Sequence, residues 1–76
     1  MIGKALKYVR KKKGFKQEVL AKMINISQQN LSRYENEQRI ISFDMIEQIA
    51  NKCGYKIYFD NGKEKFQVKD LKRKDI

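Results

Sequence analysis

The stretch from Ser27 to Arg39, SQQNLSRYENEQR, concentrates side chains that make directional hydrogen bonds. Gln28, Gln29, Asn30, Ser32, Arg33 and Asn36 surround only two large apolar residues, Leu31 and Tyr34. A carboxamide offers a donor beside an acceptor, so Gln or Asn can bridge N6 and N7 of adenine. A guanidinium offers parallel donors, so Arg can bridge O6 and N7 of guanine. On a helix, Leu31 and Tyr34 turned inward put Gln28, Gln29, Ser32, Arg33 and Asn36 outward, with Asn30 on the flank. The same composition also suits a plain solvated helix, because Gln is a good helix former. The surrounding elements decide between the two.

Ile2, Ala5, Leu6 and Val9 recur at helical spacing over residues 2 to 13, and Gly14 stops that helix. Val19, Leu20, Met23 and Ile24 mark a short second helix ending at Asn25, which tolerates a left-handed conformation. Ser27 is a good N-cap for a third helix over 28–36. A turn of Asn25, Ile26 and Ser27 between two short helices forces them to cross steeply, a helix-turn-helix. Ala21 permits the close approach, and Ile26 plugs the gap. A fourth helix runs through SFDMIEQIANKC, capped by Ser42 with Asp44 in its first turn. Its inward residues are Met45, Ile46, Ile49, Ala50 and Cys53, and Gly54 stops it.

The pattern then changes. YKIYFDNGKEKFQV alternates around Asn61-Gly62 and predicts a β-hairpin with a type I′ turn. That turn sets Tyr55 opposite Val68, Ile57 opposite Phe66 and Phe59 opposite Glu64 on one face. Lys56 then faces Gln67, and Tyr58 faces Lys65, on the other. An isolated hairpin is hardly stable in water, so its apolar face must cover the helices or meet a second subunit. The expected architecture is mainly α: a four-helix domain over 1–54, a hairpin over 55–68 and a frayed basic tail over 69–76.

The chain has 76 residues, enough for one small core, and carries a net charge of +9 from 18 Lys and Arg against 9 Asp and Glu. Lys4, Lys7, Arg10, Lys11, Lys12, Lys13 and Lys16 precede the first acidic residue. Such an excess points to a polyanionic partner. With no His and the single Cys53, neither a metal site nor a cofactor is expected, and an internal disulfide is impossible. The free thiol suits a reducing cytoplasm, and Cys53 reads as a small core residue. No apolar run approaches the roughly 18 residues of a membrane span, and the N-terminal residues lack a signal-peptide pattern. Enzyme chemistry is not expected either: there is no His, no phosphate-binding glycine loop and no paired acids.

KQEVLAKMINISQQNLSRYENEQR, with helices before and after it, resembles the lambdoid phage repressor and Cro type of helix-turn-helix domain, the xenobiotic-response-element family. The resemblance runs from about residue 2 to residue 54, through Arg10, Gln17, Leu20-Ala21, the turn Asn25 to Ser27, Gln28-Gln29, Leu31-Ser32 and Glu35. It implies that Gln28, Gln29, Ser32 and Arg33 read base edges. It further implies that Gln17, Asn36 and Arg39 contact the DNA backbone, and that Arg10 and Glu35 form a structural ion pair. Lys13 and Lys16 are placed to reach phosphates as well. Lys16 stands where the family has a capping Thr or Ser, and Glu37 where it has a glycine. The hairpin replaces the family's fifth helix. Some antitoxins of the family dimerise through a C-terminal β element, which makes Tyr55, Ile57, Tyr58, Phe59 and Phe66 the candidate dimerisation residues.

The expectation is a sequence-specific regulator, a repressor, binding double-stranded DNA as a homodimer on a pseudo-palindromic operator. The alternative is an antitoxin that binds a toxin protein and represses its own operon. A pure protein-interaction module is a third reading, and it predicts no steep salt dependence of DNA binding.

Overall fold

A computed structural model describes residues 1–71 of the chain; the rest of the tail expected over 69–76 lies outside the described residues. Four helices come first: α1 (Ile2–Lys13), α2 (Gln17–Met23), α3 (Gln28–Glu35) and α4 (Phe43–Lys52). Two short strands follow, β1 (Phe59–Asp60) and β2 (Lys65–Phe66), and then a single 3-10 turn over Val68–Asp70. The core is one cluster of Leu6, Leu20, Ala21, Ile24, Leu31, Ile49 and Cys53, with Val9, Phe15, Ile26, Ile41, Met45 and Ile46 packed around it. Each helix therefore contributes its apolar stripe to the same interior.

All four helices stop in the same way. A residue with positive φ follows the last helical turns: Gly14 at 91°, Asn25 at 62°, Glu37 at 59° and Gly54 at 85°. The next residue then reaches back: Phe15 N–H to Arg10 O, Ile26 to Ala21, Gln38 to Arg33 and Tyr55 to Ala50, at 2.8–3.1 Å. This is the Schellman arrangement, which satisfies carbonyls that a helix end leaves unpaired. Two of the residues reaching back, Phe15 and Ile26, also pack against the core. Starts differ more. Ser27 and Ser42 accept the amides of Asn30 and Met45 at 3.1 and 3.2 Å, whereas Lys16 makes no side-chain cap.

Gly3 has a role that its helical context conceals. A Cβ there would lie 2.5 Å from Tyr34 O and 2.7 Å from Glu35 O, so α1 rests directly on the C-terminal backbone of α3. That contact fixes the height at which α3 leaves the body of the domain.

The hairpin forms, but in a register shifted by two residues. Phe59 pairs with Phe66 and Asp60 with Lys65, which replaces the expected pairings of Phe59 with Glu64, Ile57 with Phe66 and Tyr58 with Lys65. Asn61 does not adopt positive φ; only Gly62 does, at 88°. The Asn61 side chain explains the shift. Its Oδ1 accepts Lys63 and Glu64 N–H at 2.9 and 2.7 Å, and Asp60 Oδ1 accepts Gly62 N–H at 2.8 Å. These bonds hold a turn centred on Gly62-Lys63 instead of Asn61-Gly62. A two-residue slip keeps every side chain on its original face, so the aromatic face survives. Regular strand covers only 59–60 and 65–66, much less than the hairpin expected over 55–68.

Substitution of Gly3 by Ala should lower stability by roughly 1–3 kcal/mol through overpacking against α3, measured by urea unfolding. Glu37→Gly should do the opposite. Relief of a left-handed non-glycine residue should raise stability by about 1 kcal/mol, and the exposed ion pair between Glu37 and the amino terminus contributes little against it. An unchanged or lower denaturation midpoint for Glu37→Gly would contradict this account of the α3 exit.

Candidate nucleic-acid interface

The site is organised around a buried charge pair. Arg10 of α1 and Glu35 of α3 are only 6% and 3% exposed. Arg10 Nε and Nη2 donate to Glu35 Oε2 and Oε1 at 2.6 and 3.0 Å, a two-pronged pairing that matches guanidinium to carboxylate. Arg10 Nη1 donates to Phe15 O at 2.8 Å, which ties the α1–α2 connection to the same pair. Among the described residues no buried side-chain nitrogen or oxygen lacks a hydrogen-bond partner. Replacing such a pair by apolar residues can be neutral, but removing one member leaves a buried charge alone.

The pair reaches toward the surface through glutamines. Gln17, the first residue of α2, donates from Nε2 to Glu35 Oε1 at 3.0 Å. Gln28, the first residue of α3, makes a long 3.5 Å contact from its Nε2 to Gln17 Oε1. The amide of Gln17 is thus held with its nitrogen toward the core and its oxygen toward Gln28. Gln28 keeps its own oxygen and a second N–H for an outside partner.

Around Gln28 the outer face of α3 is open. Gln28, Gln29, Arg33 and Asn36 are exposed and Ser32 is partly so, while Leu31 and Glu35 on the opposite side are buried. Asn36 follows the last residue of α3 as its C-cap, so the helix is one residue shorter than 28–36. Its Nδ2 donates to Ser32 Oγ at 3.3 Å, which joins two of the proposed contact residues. Lys13 and Lys16 are exposed at the end of α1 and just before α2. Arg39 does not simply trail behind α3: it folds back to Asn30, with Nη1 at 3.1 Å from Oδ1.

Two basic residues near this face carried no individual assignment from sequence. Lys4 and Lys7 line a cleft of about 440 Å³ together with Met1, Asn36, Glu35 and Glu37. The signal was present in their spacing of three, which puts them on one side of α1. The charges of α1 therefore flank the exit of α3 as well as the start of α2.

The expected dimerisation residues divide between two environments. Phe59 stacks on Phe66 with ring centres 5.5 Å apart and meets Phe43 of α4 at 6.4 Å, so the hairpin leans on its own helices. Ile57 and Tyr55 border a small apolar hollow with Ile2, Ala5, Val9, Ile46 and Ala50. Even so, Tyr58 and Phe59 remain 45% and 48% exposed. The Lys65 ammonium sits 4.9 Å from the centre of the Tyr58 ring on the other face. Cys53 belongs to the core; burial pushes its thiol above its ordinary value, partly offset by Arg10 and Lys13. Among the described residues no helix is long and apolar enough to cross a membrane, and no cluster of potential metal ligands occurs.

A tight pair of short helices, the second presenting amides and a guanidinium from a basic body, is the architecture that seats a helix in the DNA major groove. A family model described as Helix-turn-helix matches residues 6–59, most of the chain, and the chain belongs to this family of Cro and C1-type DNA-binding regulators. No curated protein and no solved structure gives a match.

Glu35→Ala should lower stability by about 3–5 kcal/mol, because it strands Arg10 in the core. The double replacement Arg10→Met with Glu35→Leu should cost far less. Urea unfolding of the two variants checks this, and equal losses would show that the pair does not act as a unit.

Proposed function

We propose that the protein is a repressor that binds a pseudo-palindromic operator as a homodimer, with α3 of each subunit in the major groove. The observation that carries this is the outward row of exposed Gln28, Gln29 and Arg33 with half-buried Ser32, on a helix whose opposite side is locked by Leu31 and Glu35. An α-helix with its side chains is about 10–12 Å across, which fits the roughly 12 Å width of the groove. Gln28, with one N–H turned to Gln17 and an oxygen and second N–H facing out, has the donor–acceptor pair that suits adenine. Arg33 supplies the donors that suit guanine. Gln29 and Ser32 complete the reading surface. Lys13, Lys16, Gln17, Asn36 and Arg39 hold the backbone, with Lys4 and Lys7 adding charge beside Asn36. Gln17 can serve both Glu35 and a phosphate, since Glu35 takes only one of its amide hydrogens.

Dimerisation through the hairpin would separate the two reading helices by about one turn of DNA, near 34 Å. Two features support it: the exposed aromatic side chains of Tyr58 and Phe59, and the segment over residues 55–58, which has no strand partner among the described residues. The antitoxin reading would put a toxin protein on this same face.

Selection of bound duplexes from a random library tests the proposal. An enriched palindrome supports it, and no enrichment defeats sequence-specific binding. On the enriched duplex Arg33→Ala should lose roughly 1–3 kcal/mol and relax preference at one base pair, whereas Lys13→Ala and Lys16→Ala should weaken all duplexes alike. Equal losses for Arg33→Ala on enriched and random duplexes would remove its base-reading role. Sedimentation should show a dimer that Phe59→Asp converts to a monomer with its helical circular dichroism intact. A wild-type monomer that dimerises neither alone nor on DNA would turn the hairpin over to another protein.

A further inference from the structure

Asn30 lies at the third position of α3, between the core and the reading row. Its backbone N–H is taken by Ser27 Oγ at 3.1 Å. Its side-chain oxygen accepts from Arg39 Nη1, also at 3.1 Å, across nine positions of sequence. The return is built by the left-handed residue Glu37, φ 59°, and by the Gln38 N–H bond to Arg33 O at 2.9 Å. These bring the chain back along the helix it has just left. An arginine that follows α3 in sequence therefore stands beside its first turn.

The pairing decides what this corner can bind. Arg39 takes one of the two lone pairs of the Asn30 oxygen and adds its remaining guanidinium donors and a positive charge, so donors and positive charge predominate at this corner. Such a surface suits a partner that only accepts. Adenine N6 and cytosine N4, which donate, suit it less. Gln28 differs here, because its oxygen is free. Asn30 is half-buried and stands to the side of the row formed by residues 28, 29, 32 and 33, which places Arg39 at the rim of the reading face. At the rim of a major groove the acceptors are phosphate oxygens.

We infer that Asn30 is a positioning residue that holds Arg39 against the flank of α3, where Arg39 binds a DNA phosphodiester and reads no base. This rests on the DNA-binding role of α3 and adds a defined second member to the backbone contact. Exposed side chains alone would leave Arg39 to search many rotamers; the bond to Asn30 pre-organises it, and that is what the test reads.

Binding is measured with the full chain on a duplex enriched from a random library and on a mixed-sequence duplex of equal length, over a range of salt. Arg39→Ala should weaken both duplexes by about tenfold and make the salt dependence shallower by about one phosphate contact. Asn30→Ala should weaken both by about fivefold, and on the Arg39→Ala background it should add less than about twofold. Loss confined to the enriched duplex would make Asn30 a base reader and overturn the inference. Losses that multiply in the double variant, or full affinity in Arg39→Ala, would overturn it too while leaving the reading of α3 intact. Wild-type protein that binds neither duplex would defeat the DNA-binding role and this inference with it. Circular dichroism checks folding. Should Asn30→Ala unfold, Arg39→Gln in the exposed connection gives the same salt-slope readout, and an unchanged slope would overturn the inference.

Discussion

The ion pair between Arg10 and Glu35 is the constraint on which the rest of the molecule depends. Two opposite charges in a core this small are tolerated because every nitrogen and oxygen of the pair has a hydrogen-bond partner. Meeting that condition requires α1, the α1–α2 connection, the start of α2 and the end of α3 to arrive at one point. Hydrophobic burial alone would let α3 rotate or slide by a fraction of a turn, since Leu can repack. A two-pronged bond cannot follow such a slide. The orientation of the outer face of α3 is thus specified by a polar contact on its hidden side.

That arrangement divides the work between layers. Leu20, Leu31 and Ile49, fully buried, supply cohesion. The charge pair supplies direction. Gln17 stands between the two and the solvent, with one end of its amide fixed by Glu35 and the other turned to Gln28. The rim is set separately, by the left-handed turn at Glu37 that brings Arg39 back to Asn30. Gln17, Gln28 and Arg39 are thus positioned by hydrogen bonds as well as by their own rotamer preferences.

How much of this the sequence discloses depends on how local each determinant is. Helix stops are written in pairs such as Gly14-Phe15, Asn25-Ile26 and Gly54-Tyr55, a residue able to turn left-handed followed by an apolar one, and can be read directly. The fourth stop, Glu37-Gln38, follows the same geometry without either chemical signature, so its form was illegible. Gly3 reads as a weak spot in a helix until the backbone of α3 is seen against it. The hairpin turn was misplaced because Asn61 can act in two ways. Its backbone favours the left-handed region, but its side chain can instead accept two amides, and the second outcome prevails here. The return of Arg39 to Asn30 depends on the turn at Glu37 and could not be anticipated from spacing.

The four backbone-made exits have a consequence for time as well as for shape. The chain contains no proline, and every helix boundary is formed by residues within six positions of one another. Neither prolyl isomerisation, which takes tens of seconds, nor a search for distant strand partners stands between the newly made helical domain and its folded form. The helical domain of a regulator built in this way folds at the pace of its local contacts.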